Sequence, residues 1–160
     1  MPTNRLAAVV THIGRNHFPG IAAIAEALPE WFTEDGRRKL TVDLHYQPGY
    51  VAVVDNEPVG FVTIYVVEAI AHIGWMGVHP DRHRSGIGRT LVEVACTELG
   101  GHGVSHLRVD TLGDGVDYKP YAETRAFYRG VGFSDVACVV QDDPEWPERL
   151  TLEREIHNGD

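Results

Sequence analysis

The chain has 160 residues, enough for one folded domain with a full-sized core. Hydrophobic residues make up 43% and charged residues 23%, with a formal net charge of −9; this is a soluble, globular balance without the broad basic face of a general nucleic-acid binder. No apolar run nears the roughly 20 residues of a membrane span, no signal-peptide pattern opens the chain, and Cys96 and Cys138 are too few and too distant for a disulfide framework, so a reduced cytoplasm is the expected location.

No internal repeat, low-complexity tract or linker interrupts the chain, and a single domain over residues 1–160 is expected. Residues 5–11 ("RLAAVVT") read as a first strand. Residues 20–32 form a helical pattern with Ile21, Ile24, Ala25 and Leu28 on one stripe, and 34–47 a second, shorter helical segment. The period then changes from helical to alternating. Residues 49–68 hold two apolar runs around Asp55-Asn56-Glu57-Pro58, a hairpin signal. In the second run Val59, Phe61, Thr63, Tyr65 and Val67 share one face, and Val62, Ile64 and Val66 the other. With both faces apolar, this sheet is expected to be covered on both sides.

Residues 71–79 ("AHIGWMGVH") read as the next strand, and 86–100 as a helix with Ile87, Leu91, Val94, Ala95 and Leu99 on its apolar stripe, stopped by Gly100 and Gly101. A strand over 103–112, a helix over 121–133 closed by Gly130 or Gly132, and strands over 133–141 and 149–156 complete the chain. In the last strand Leu150, Leu152 and Ile156 alternate with Thr151, Glu153 and Glu155, so one face looks to water. The sum is a mixed α/β sheet with helices on its faces.

The chemistry gathers in "GVHPDRHRSGIGRTLVEVA", residues 77–95. A Walker loop needs a Gly-Lys-Ser/Thr end, which is missing. A dinucleotide fingerprint needs a third small residue where Leu91 stands. What remains is a strand ending at Val78, a turn after Pro80, and Gly86 and Gly88 opening a helix. Such a loop can aim successive N–H groups into one concavity, aided by the helix N-terminus. Arg84 and Arg89 can flank it, giving a pyrophosphate seat that needs no metal. The plainer reading is a glycine turn before a core helix, with solvated arginines.

"VHPDRHRSGIGRTL" resembles the acetyl-CoA-binding segment of the GNAT superfamily of N-acetyltransferases, Arg/Gln-x-x-Gly-x-Gly/Ala after a strand ending in Val-x-Pro. "AFYRGVGF" resembles that family's Phe-Tyr-x-x-x-Gly-Phe helix end, and the element order fits over nearly the whole chain. The resemblance implies a central mixed, mostly antiparallel, splayed sheet of about seven strands flanked by about four helices. It also implies acetyl-CoA as co-substrate and an amine acceptor, which an acidic surface suits. The backbone of Arg84, Ser85, Gly86, Ile87, Gly88, Arg89 and Thr90, with His83 beside it, would hold the pyrophosphate. Met76 and Val78 would pair with the pantetheine arm as if it were a strand, admitted by a splay between residues 75–78 and 107–109. Tyr121 and Phe127 fall at further cofactor positions. Two departures stand out: His83 replaces the usual Arg or Gln, and Tyr121 the frequent Asn. Members are often dimers, which leaves a homodimer open.

Acyl transfer to an amine needs a neutral amine, donors for the oxyanion and an acid for the leaving thiolate. Tyr128 matches the family's acid, and a phenol of pKa about 10 is protonated at neutral pH. The Val78 N–H is a candidate oxyanion donor. His72 stands where some members carry a glutamate base, and imidazole suits that role; Glu68, His79 and a water chain compete with it. Trp31, Tyr46, Glu68 and Trp75, with Phe32 and His45, come from segments expected to line the acceptor side. His79, His83, His102 and His106 do not assemble a persuasive metal set, and none is expected. Asp142, Asp143, Glu145 and Glu148 could draw a cation, but a solvated loop between two strands is the favoured reading of them. Cys96 sits in the cofactor helix and Cys138 in a late strand, in keeping with direct attack and no covalent enzyme intermediate. The alternative to an acetyltransferase is a non-catalytic acyl-CoA-binding or sensing module.

Overall fold

A computed structural model of the chain describes residues 7–157. Its elements run β1 (Val9–His12), α1 (Phe18–Glu26), α2 (Glu34–Asp43), β2 (Gly49–Val54), β3 (Glu57–Val67), β4 (Ile70–Val78), α3 (Ile87–Gly101), β5 (His106–Leu112), α4 (Lys119–Gly130), β6 (Ser134–Val140) and β7 (Glu148–Glu155). The strands order as β1-β2-β3-β4-β5-β7-β6 in one seven-stranded sheet. The β1–β2, β2–β3, β5–β7 and β6–β7 pairs are antiparallel, and β4–β5 is parallel, in register at Ala71↔Leu107 and His72↔Arg108. The mixed, mostly antiparallel sheet is thus the expected one. The described residues fall into two compact units, 7–64 with 74–95 and 65–73 with 96–157.

In the first unit, Thr33 caps α2 by accepting the Gly36 N–H at 3.0 Å, and Glu34 and Asp35 favour its N-terminus. The core gathers Ile21, Ile24, Ala25 and Leu28 with Phe32, Leu40, Val51 and Phe61. The expected helix over 20–32 is shorter, ending at Glu26. Pro29 disfavours a helical residue before it, and tight turns carry the chain through Leu28 to Phe32. Asp55 and Asn56 both have positive φ (51° and 63°) between β2 and β3, the conformation that matches a two-residue hairpin loop to strand twist.

Glu68 and Ala69 repeat that device between β3 and β4, with φ of 51° and 67°. The expected two-sided cover of β3 holds from Val59 to Ile64 and then stops: Tyr65, Val66 and Val67 are exposed. Periodicity reports which face a residue takes, not whether anything lies over it.

In the second unit, β7 buries Leu150 and Leu152, and its Glu153 pairs with Arg108 on β5. Of the two glycines expected to close α4, Gly132 makes the stop: its φ is 98°, and the Phe133 N–H reaches back to the Tyr128 carbonyl at 3.0 Å. The α3 stop lies later than expected. Gly100 and Gly101 belong to the last turn, and Gly103 takes the left-handed conformation at φ 84°. Arg125 on α4 is buried and clamps the end of β5. It donates to the Leu112 and Gly113 carbonyls at 2.7 and 3.1 Å and pairs with Asp114 at 2.9 Å. Arg129 joins Asp114 to Asp135. Arg125→Met keeps an apolar stem but removes the guanidinium donor from the Leu112 and Gly113 carbonyls, the latter keeping only the Val116 N–H, and takes the partner from Asp114. A loss of about 3 kcal/mol is expected, read as a fall in Tm of roughly 10 °C by calorimetry.

Candidate functional site

The loop after β4 is built by alternating handedness. Pro80–Arg82 form a single 3-10 turn, with the Asp81 N–H on His79 Nδ1 and the Arg82 N–H on the His79 carbonyl at 2.8 Å. Arg84 (φ 62°) and Gly86 (φ 85°) then enter the left-handed region on either side of Ser85. Backbone of this kind can turn successive peptide groups toward one concavity, and the Ser85 hydroxyl ties the loop down by donating to the Arg82 carbonyl. A Cβ at Gly86 would meet nothing within 4 Å; glycine is needed there for its conformation, not for room. Ile87 is buried and anchors the start of α3 beside Gly60 of β3. Helix geometry gives the N–H groups of Ile87 and Gly88 no acceptor within α3. Arg84 and Arg89 are exposed at this end.

Thr90 commits its N–H to the Gly86 carbonyl at 3.0 Å, and its hydroxyl donates to the same oxygen at 2.9 Å.

The end of β4 is oriented by two bonds to β3. The Trp75 N–H goes to the Thr63 hydroxyl and the His79 N–H to the Val59 carbonyl, both at 2.8 Å. Strand alternation therefore turns the backbone groups of Met76 and Val78 away from β3. His83 fills one of these positions: its Nε2 lies 2.7 Å from the Val78 carbonyl, so that nitrogen carries the proton. The Trp31 ring stands edge-on to His83 with centroids 6.1 Å apart. Trp75 stacks on Phe32 at 5.9 Å and gives its indole N–H to Asp43 at 2.8 Å. Trp31, Trp75, Met76, Val78, His83 and residues 84–90 thus all belong to the first unit, as does Tyr46, which is exposed after α2.

The second unit holds Glu68, His72, Tyr121, Phe127 and Tyr128. His72 is half-buried, with the Tyr65 ring lying parallel to it at 4.9 Å. Burial lowers its pKa below the ordinary 6.5; Asp110 pulls the other way and Arg108 adds to the lowering. Glu68 is exposed in the β3–β4 turn. Tyr121 and Tyr128 are two helical turns apart and so share a face of α4. Tyr128 is buried, edge-on to Phe127 and Phe133 at 5.3 Å, and this burial pushes its hydroxyl well above the ordinary 10. Tyr121 is raised more mildly by the same cause. Among the described residues no group of three His, Cys, Asp or Glu side chains is placed to hold a metal ion. No described helix is long and apolar enough to cross a membrane.

Thr63, Gln47, Asp43, Tyr65 and Arg125 were not singled out by the sequence. Their partners lie 7 to 32 positions away, as with Trp75 and Asp43, and no local pattern announces such pairs.

Comparison with known proteins agrees with this arrangement. The model of the acetyltransferase (GNAT) domain matches residues 45–135. A GNAT-family protein from Desulfovibrio desulfuricans has a similar structure, with a TM-score of 0.83 and 20% identity over 94% of this chain and 100% of that one. The ribosomal-protein-S18-alanine N-acetyltransferase from Escherichia coli follows at 0.73 and 17%, covering 93% and 94%. An aminoglycoside 6'-N-acetyltransferase complexed with coenzyme A superposes at 0.71 and 16%, covering 93% and 97%. No curated protein matches the chain. The chain belongs to the GNAT acetyltransferase family and is by that membership an acyltransferase.

Gly86→Ala tests the loop's conformation. With open space around the new Cβ, the cost is that of a left-handed alanine, about 1–2 kcal/mol, and Tm falls by roughly 2–8 °C. Gly88→Ala, inside the helix, is expected to leave Tm unchanged or raised.

Proposed function

We propose that the protein transfers the acetyl group of acetyl-CoA to a primary amine by direct attack within a ternary complex. The observation that carries this is the double left-handed curl at Arg84 and Gly86, set between the end of β4 and the start of α3. A concavity of backbone N–H groups at a helix N-terminus suits a pyrophosphate, and the loop contains the family's glycine pattern. The aminoglycoside acetyltransferase of similar fold carries coenzyme A. The donors here are the N–H groups of residues 84–89, with the Arg84 and Arg89 side chains as counter-charge. Met76 and Val78 offer the strand edge for the pantetheine arm, and His83 shares that edge through the Val78 carbonyl.

Acetyl-CoA supplies an activated thioester; the chain supplies proton management. Tyr128 donates to the departing thiolate. Its raised pKa keeps the phenol protonated across the working range, so it is an acid that needs no tuning. His72 takes the amine proton, directly or through water. Its lowered pKa keeps the imidazole neutral at pH 7, which is the form a base needs. Tyr121 and Phe127 complete the cofactor side by family position. Trp31, Tyr46, Glu68 and Trp75 face the acceptor, an amine drawn to an acidic protein. In this reading the protein folds as one domain, works in the cytoplasm and uses no metal.

Release of free thiol from acetyl-CoA with a panel of amines, beside a CoA-dependent thermal shift, tests the reading. Turnover with at least one amine is expected. A thermal shift without any turnover would leave only an acyl-CoA-binding module. Tyr128→Phe preserves the ring packing and is expected to lower kcat by roughly 10²–10⁴-fold with CoA affinity retained; wild-type kcat would remove Tyr128 from the chemistry. For His72, the acid limb of kcat/KM is expected below pH 6.5, since only the neutral ring accepts a proton. Tyr65→Ala uncovers that ring, relieves its desolvation and moves the limb up toward 6.5; a limb that stays in place in both Tyr65→Ala and His72→Ala would show that another group is titrating.

A further inference from the structure

A strand amide in an antiparallel sheet ordinarily finds a backbone carbonyl. The Trp75 N–H instead finds a side chain, the Thr63 hydroxyl, at 2.8 Å. That hydroxyl passes its own proton to Gln47 Oε1, also at 2.8 Å. Thr63 is completely buried, so nothing from solvent can replace either partner. Gly74 makes the arrangement sterically possible: a Cβ there would run into the Gln47 carboxamide and stand 2.9 Å from the Thr63 hydroxyl. Gln47 is held in turn by the reverse turn that closes α2, its N–H on the Asp43 carbonyl at 2.8 Å. The Asp43 carboxylate takes the Trp75 indole N–H. Trp75 is therefore tied twice to residues 43–47, once through its ring and once through its amide by way of Thr63.

The relay sits just before the segment whose orientation matters. With the amide of Trp75 committed toward β3, the backbone groups of Met76 and Val78 are committed away from it. An error in the direction of β4 at Trp75 is carried to Val78 and on to the start of the loop at His83. We infer that Thr63 and Gln47 are positioning residues for acyl-CoA: their hydroxyl–carboxamide relay sets the course of β4 so that the end of this strand and the loop that follows it meet one ligand. The relay also fastens that strand to the segment that follows α2. Neither residue touches the ligand. The inference rests on the proposed binding of acyl-CoA at β4.

The test uses the whole chain, CoA as probe and three variants. Thr63→Val keeps the shape and loses both hydrogen bonds, Thr63→Ser keeps the hydroxyl, and Gln47→Leu removes the final acceptor. Calorimetric titration is expected to give a CoA Kd raised at least tenfold in Thr63→Val, within twofold of wild type in Thr63→Ser, and intermediate in Gln47→Leu. The KM for acetyl-CoA should rise in parallel, with a smaller change in kcat. Leu40→Ala, a core variant elsewhere in the same unit, should lower Tm without moving Kd. Thr63→Val binding CoA like wild type, or changing Kd no more than Leu40→Ala does, overturns the inference. If Thr63→Val does not fold, an unchanged Kd in Gln47→Leu overturns it, and a raised one supports it. A wild-type chain that fails to bind CoA overturns the binding reading and this inference together, whereas normal wild-type binding with indifferent variants overturns the positioning role alone.

Discussion

The hydrogen bond from the Trp75 amide to the Thr63 hydroxyl governs the most consequential stretch of the chain. Backbone groups along a strand alternate in direction, so committing one amide commits all that follow. Trp75 and His79 face β3, and Met76 and Val78 are left facing outward. The outward carbonyl of Val78 then receives His83, which brings the chain round into the curl of Arg84 and Gly86. That curl delivers the backbone to the start of α3, whose first N–H groups have no acceptor within the helix itself. Strand, turn and helix start are one mechanical sequence, and each step inherits its geometry from the one before.

Features written in a few consecutive residues were legible. The Asp55-Asn56 hairpin, the helix after Gly86 and the stop near Gly132 follow from local backbone preferences, and the structure has each of them. The family motifs were legible for the same reason, being short and contiguous. Other features depend on what packs from a distance. Val66 and Val67 read like core and are exposed, so the burial that β3 has from Val59 to Ile64 does not extend to them. Arg125, which no local pattern singles out, is buried and bonded to two carbonyls and a carboxylate. Thr63 looked like one more member of a strand face, whereas its hydroxyl replaces a missing ladder acceptor. The early end of α1 was legible in principle, since Pro29 marks it; the apolar stripe continuing through Leu28 concealed it.

The distribution of arginines bears on how an acidic chain can host an anion. In the second unit Arg108, Arg125 and Arg129 are engaged with Glu153, Asp114 and Asp135. Arg125 works there as a structural clamp, and the more exposed pairs add little stability of their own. Arg84 and Arg89 are exposed at the head of α3. Arg84 moreover occupies a left-handed position where glycine would be easier by about 1 kcal/mol. A charged side chain is kept at a place where conformation alone would favour none.

The outer strand of the sheet poses a different physical problem. β6 lies at one end of the strand order, and Val136, Val139 and Val140 are exposed along it. Neither lysine nor proline stands between Ser134 and Val140, so two common deterrents to strand addition are missing there. The register with β7 shifts between Asp135 and Ala137, which makes Val136 the surplus residue of a bulge. A bulge bends an edge and interrupts the even row of ladder groups that an incoming chain would copy. Val136 therefore does its work through the backbone: left out of the pairing with β7, it interrupts the row of ladder groups that an incoming strand would copy.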